Sequence, residues 1–229
     1  MTKPYIELDC PNYDEINAGI LDYLENRTPI LQYDPDVKRP YANFVNTIDF
    51  LKHNPKLSKY FSSLGIFLYH VYFAVAFHPT DKHLKNPFSN FANPGESNSV
   101  PIHLDRPPVQ WKMNWPVLNM INTGTRFYQL KDPTDTVAQY LSRAGVPGSL
   151  ARDTYYLPYE PFEESHRHIF GLPILMNGLI AHDVWFCDTV PMPRIGLQMM
   201  FVKEPRHLLD NDCVILDQDY VKKLEFIGV

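Results

Sequence analysis

Twenty-one prolines are spread through 229 residues, and they limit what the chain can become more than any other feature. A proline lacks the backbone N–H and disrupts helix interiors and central strands. Long uninterrupted elements are therefore disfavoured, and short elements joined by many turns are expected. From Leu64 onward the stretches between turns are rich in aromatic and β-branched residues, the mixture favoured on a pleated surface. The first is GIFLYHVYFAVAF, whose polar alternates, Tyr69 or His70 and Tyr72, can face a partly polar interior. Further strands are predicted at 100–105, 110–120, 125–130, 168–176, 179–186 and 194–202. Such a series points to an all-β sandwich or barrel rather than to βαβ units.

Ahead of these strands the pattern changes. Residues 12–26 carry Ile16, Ile20, Leu21 and Leu24 at helical spacing with acidic residues near the start, which predicts an amphipathic helix. Two shorter helices are expected at 43–53 and 55–63. The fold class is thus mainly β with helical support, as a single unit over 1–229. Residues 1–63 form a helical support packed outside, 64–205 the β core and 206–229 a C-terminal extension. Residues 78–100 read as a long loop. Within 131–167, DPTDTVAQYLSRAG reads as a short helix and RDTYYLPYEPFEE as an extended loop.

The formal net charge is −5 and no run of lysines or arginines stands out, so the basic face that duplex nucleic acid requires is not evident. Cys10, Cys187 and Cys213 are odd in number and widely spaced, which suits a reducing compartment better than a disulfide framework. The N-terminus MTKPYIELDC has no apolar signal core. The run from Ile66 to Phe77 falls short of the ~20 residues of a membrane helix. A cytoplasmic protein without membrane contact is the expectation.

The chemistry-bearing residues begin at PIHLDRPPVQW. On a strand, residues i and i+2 share a face, so His103 and Asp105 point the same way. Alone, such a triplet often arises by chance. A third residue comes from NGLIAHDVWFCDTVPMPRIGLQMMF, where His182 lies in an apolar strand and Arg194 opens the next. The proline-containing turn between them predicts an antiparallel hairpin that brings His182 and Arg194 close together on an inner face.

Two histidines and a carboxylate in this order, followed by an arginine at the start of the next strand, resemble the 2-oxoglutarate- and Fe(II)-dependent oxygenases. The resemblance covers roughly residues 66–205. It implies a double-stranded β-helix, the jelly-roll or cupin-like core, with the helices packed outside. It also implies Fe(II) held by His103, Asp105 and His182, and 2-oxoglutarate as co-substrate with Arg194 on its far carboxylate. Such a facial triad leaves positions open for co-substrate and oxygen, and a guanidinium offers a planar fork for a carboxylate. The stretch QWKMNWPVLNMINTGTRFYQL is similar to the strand after the metal pair in such proteins. There Asn114, with Tyr72 from the first core strand, is placed to reach the co-substrate or to order the ligands. The implied activity is that of a dioxygenase, a hydroxylase of a protein side chain or small molecule, with nucleic acid less favoured.

Other histidines fit blander roles. His166 and His168 read as solvated loop residues, His70 as a satisfied core histidine, and His53, His78, His83 and His207 as surface residues. Tyr155, Tyr156 and Tyr159, with the 78–100 loop, are expected to wall the barrel mouth. The chain has no G-x-S-x-G, P-loop or dinucleotide fingerprint. Two alternatives stay open: another metal-dependent cupin-type enzyme, or a non-catalytic binding or structural protein on the same scaffold.

Overall fold

The computed structural model describes residues 3–28, 41–76, 96–105, 110–143, 154–187 and 189–227. Two antiparallel six-stranded sheets face each other as a β-rich sandwich. The first is built from β1 (Tyr5–Glu7), β2 (Tyr41–Val45), β3 (Leu68–Ala76), β5 (Trp111–Leu118), β10 (Ile174–Asn177) and β12 (Arg194–Phe201), in the order β1-β10-β5-β12-β3-β2. The second holds β4 (Glu96–Asp105), β6 (Thr123–Leu130), β7 (Ser142–Arg143), β8 (Thr154–Tyr156), β9 (Phe162–Ile169) and β11 (His182–Cys187), ordered β7-β8-β4-β11-β6-β9.

Three helices, α1 (Tyr13–Arg27), α2 (Thr47–His53) and α3 (Pro55–Ser63), cover the outer face of the first sheet. The strands declare this in their alternation. Trp111, Met113, Trp115 and Val117 of β5 join Ile195, Leu197 and Met199 of β12, and Val71, Phe73 and Val75 of β3. All pack in one core with Ile16, Ile20, Leu24, Phe50, Leu57 and Phe61 from the helices. Each such buried side chain contributes roughly 1.5–3 kcal/mol. The intervening residues, Tyr72, Lys112, Asn114, Arg194 and Gln198, point the other way, because side chains alternate across a strand. They give the space between the sheets a polar lining.

Pro116 lies within the central strand β5 and has no N–H to give its neighbour. The ladder with β12 shifts register beside it, and helix α1 takes over the satisfaction of this stretch. Tyr13 Oη donates to the Pro116 carbonyl at 2.6 Å and Asn17 Nδ2 to the Val117 carbonyl at 3.0 Å. The helix is thus fixed at a point where the sheet is irregular.

Several elements differ from the sequence expectation, each for a local reason. The helix expected at 43–53 begins only at Thr47, because the Asn46 side chain caps it by accepting from Asp49 N–H; Tyr41–Val45 ahead of the cap pairs with β3 as a strand. The strand expected at 168–176 is two strands, β9 and β10, in opposite sheets, broken across Phe170–Pro173. β11 and β12 do not form a hairpin: both edges of β11 are taken by β4 and β6, and both edges of β12 by β3 and β5. The strand expected from 100 starts at Glu96. The short helix near 137 is one 3-10 turn, Val137–Tyr140, with a capping box from Thr136 and Gln139, and the loop after it contains β8. Most of the loop expected at 78–100, with His78 and His83, lies outside the described residues.

The C-terminal segment ends in α4 (Gln218–Ile227) and is tied to the N-terminus: Lys3 N–H donates to the Asp212 carbonyl and Val214 N–H to the Lys3 carbonyl. All three cysteines are free thiols. Among the described residues, no helix is long and apolar enough to cross a membrane.

Candidate metal centre

His103 and His182 are direct partners across the β4–β11 ladder, and their rings stand 4.1 Å apart between centroids. Asp105, two residues along β4, shares the face of His103. Each of the three offers a ligand atom within 4.8 Å of the others'. His103 Nε2 lies 3.8 Å from Asp105 Oδ1, and His182 Nε2 lies 3.8 Å from Asp105 Oδ2. Sheet pairing thus brings together residues far apart in the sequence.

The protonation states suit a cation. His182 Nδ1 lies 2.7 Å from the Ile180 carbonyl; a carbonyl only accepts, so Nδ1 carries the proton and Nε2 keeps its lone pair for the cluster. Burial, and then the neighbouring His103, push the His182 pKa well below its ordinary value, so the ring is neutral near pH 7. Burial raises the Asp105 carboxyl, but the neighbouring charges, the Lys112 ammonium first, outweigh it and hold its pKa below the ordinary carboxylate value. A neutral His182 imidazole and an ionised Asp105 carboxylate result, the forms in which these side chains bind metal.

Two residues that sequence reasoning missed complete the cluster. The Lys112 ammonium is 2.5 Å from Asp105 Oδ2 and its side chain is almost wholly buried. Gly178 supplies the carbonyl that Asp105 N–H donates to at 2.8 Å, and a Cβ at this position would overlap Asp105 Oδ2. The signal for Lys112 was available: it is a charged residue on the polar alternation of QWKMNWP. Gly178 carried none, since its importance depends on which strand end meets it.

Deeper between the sheets, Tyr72, Gln198 and Asn114 form a cross-strand row. Tyr72 Oη donates to Gln198 Oε1, and burial, with the Asp105 charge next, raises its pKa so that it stays protonated. Asn114 Nδ2 reaches only the Met176 sulfur at 2.9 Å, while its Oδ1 has no partner. Arg194 is buried beside Phe170, its guanidinium carbon 5.7 Å from the ring centroid, and its Nε has no hydrogen-bond partner. Burial alone lowers its pKa to about 10. Arg194 sits in the sheet opposite His182, with the cluster of Phe127, Phe170, Ile174 and Met176 near both.

The remaining histidines and tyrosines are placed differently from expectation. His168 is not a loop residue: it lies on β9, is 2% exposed, and faces Tyr5 and Glu7. His166, also on β9, is partly buried. His70 is exposed, set between Tyr69 and Phe44; it alternates with Val71 and so lies on the face of β3 turned away from the helices. Tyr159 does not wall the mouth. Its hydroxyl donates to Asp183 at 2.9 Å, on the face of β11 opposite to His182. His53 and His207 are largely exposed.

Asp183 is the centre of a second buried cluster. It accepts from Arg126 Nε at 2.9 Å and Nη2 at 2.5 Å, and from the hydroxyls of Tyr128 at 3.0 Å and Tyr159. Arg126 and Asp183 are almost fully buried.

No family model matches this chain, and no curated protein does. Among solved structures, the L-ribose isomerase of Cellulomonas parahominis, determined with L-psicose, is similar over 94% of this chain and 92% of that chain, at 14% identity and a TM-score of 0.24. A likeness this slight bears on neither fold nor activity.

Proposed function

We propose that the chain is a non-haem Fe(II) oxygenase that uses 2-oxoglutarate. The observation that carries this reading is the buried guanidinium of Arg194, whose Nε has no hydrogen-bond partner and which has no acidic partner among the described residues. A triad of His103, Asp105 and His182 alone suits many metal enzymes of the sandwich class. A guanidinium desolvated between the sheets and left unpaired is costly, and that cost is offset once a carboxylate binds it. A dicarboxylate that chelates a metal at one end meets this requirement at the other.

The chain's path supports a jelly-roll core. Apart from β1, β2, β7 and β8, its strands divide as β3, β5, β10 and β12 against β4, β6, β9 and β11. Every connection but β6 to β9 crosses the sandwich, as a double-stranded β-helix requires. In this reading His103, Asp105 and His182 hold Fe(II), with three coordination positions left open. Bound iron would activate molecular oxygen as the oxidant, with one oxygen atom going to the hydroxylated C–H bond and the other into succinate as 2-oxoglutarate loses carbon dioxide. Arg194 fixes the far carboxylate, and the protonated Tyr72, with Gln198 and Asn114, lines the path between. The exposed ring of Phe44, 5.0 Å from that of Tyr72, gives this interior an aromatic lip. An apolar or aromatic portion of a small molecule or protein side chain fits there.

The test is anaerobic. Metal-free protein given Fe(II) and 2-oxoglutarate develops the weak visible charge-transfer band of the chelate, and air then releases succinate. Arg194→Ala weakens 2-oxoglutarate far more than iron, and His182→Ala loses the band. Metal uptake indifferent to 2-oxoglutarate would replace this reading with another metal-dependent enzyme, and no uptake would leave a binding protein.

A further inference from the structure

Lys112 is a costly residue in its position. Its neighbours Trp111 and Met113 face the helices, which directs the lysine between the sheets. There it ends against a carboxylate that the proposed function assigns to a divalent cation. A buried ammonium beside a metal adds like-charge repulsion, so its presence calls for a role that a neutral residue would not fill.

The two oxygens of Asp105 are not equivalent. Oδ2 is held by the Lys112 ammonium at 2.5 Å and backs onto Gly178, where even a Cβ would overlap it. Each oxygen has an imidazole nitrogen at 3.8 Å, His103 Nε2 beside Oδ1 and His182 Nε2 beside Oδ2, so the ammonium and the glycine behind it are what set Oδ2 apart. We infer that Lys112 is a positioning residue that withholds one oxygen of Asp105 from the metal, so that the carboxylate contributes a single donor atom. The inference rests on the metal-centre reading and deepens it. A carboxylate donating through one oxygen, with two imidazoles, fills three of six octahedral positions; donation through both would fill four. Lys112 thereby sets how many positions stay open for ligands from outside the protein. Its charge also cancels that of Asp105, so the protein's own ligand set attracts a dication less strongly than the triad would unaided.

The experiment uses the full chain, metal-free, titrated with Co(II), with affinity from calorimetry and coordination number from the d–d absorption. In Lys112→Met, with the charge removed and Oδ2 released, Co(II) binds about tenfold more tightly, within the range by which residues around a metal's ligands tune a site. Its d–d spectrum moves to that of a higher coordination by protein ligands. Lys112→Arg, which keeps the charge, stays close to the wild-type spectrum. Unchanged or weaker Co(II) binding by a folded Lys112→Met overturns the inference while leaving the metal centre intact, whereas a wild-type chain that takes up no Co(II) removes both. A measurement on the wild type needs no variant: the infrared carboxylate stretches of isotope-labelled aspartate in the Co(II) form are expected to show the wide splitting of one-oxygen ligation. The narrow splitting of two-oxygen chelation overturns the role given to Lys112.

Discussion

His182 and Asp183 are adjacent on one strand, yet they serve two different kinds of buried polar cluster. On the outer face, Asp183 accepts from Nε and Nη2 of Arg126 and from two tyrosine hydroxyls, so its hydrogen-bonding capacity is used. On the inner face, Arg194 Nε, Asn114 Oδ1 and Thr125 Oγ1 are buried without partners. A native interior keeps few such atoms. The two clusters differ in hydrogen-bonding state: the Asp183 cluster is satisfied within the chain, and the inner one keeps donor and acceptor atoms available to a ligand.

The largest effect should come from breaking the outer cluster. Asp183→Ala strands the Arg126 charge and is expected to lower stability in urea by about 3–5 kcal/mol. Metal uptake per folded molecule persists, and a loss below ~1 kcal/mol would erase the contrast between the two faces. The inner cluster should answer in the opposite sense. His182→Ala is expected to reduce Co(II) affinity by more than ~100-fold, beyond the range for residues that only support ligands, with a smaller change in the urea midpoint of the metal-free protein. Gly178→Ala sharpens the comparison without touching a ligand. Its methyl displaces Asp105 and lowers metal affinity by about 10–100-fold; a variant that binds like the wild type would show that the carboxylate has room to spare.

The smallest effect concerns pH. Burial holds the His168 pKa below its ordinary value, with Glu7 opposing. The unfolded chain therefore takes up a proton near pH 6.5 that the folded chain refuses, and stability contributed by the neutral ring is present above that pH and lost as pH falls toward the depressed value. His168→Gln is expected to flatten the decline of stability below pH 6.5, by at most ~1.4 kcal/mol per pH unit. An unchanged slope would take His168 out of the pH response.

Local pattern made the sandwich and most of its strands legible, because alternation such as Trp111, Met113, Trp115 against Lys112, Asn114 is a property of the strand itself. The pair His103 and Asp105 was legible for the same reason. What could not be read were properties of pairing. That β11 and β12 belong to opposite sheets depends on which edges are already taken, and sequence neighbours joined by a proline turn imitate a hairpin. Strands β9 and β10 merged into one run because the break at Phe170–Pro173 falls within apolar residues. The partnership of Arg126 with Asp183, 57 positions apart, follows from the β6–β11 register alone, and Tyr159 was misplaced for want of it.

Gly178 has a bearing on how sequences of this kind should be compared. A chain that retains His103, Asp105, His182 and Arg194 but carries any other residue at 178 would pass every inspection for ligands while its aspartate was pushed aside. The smallest residue in the site would then divide working copies from inactive ones, and a survey of natural variants would have to score an absent side chain alongside the present ones.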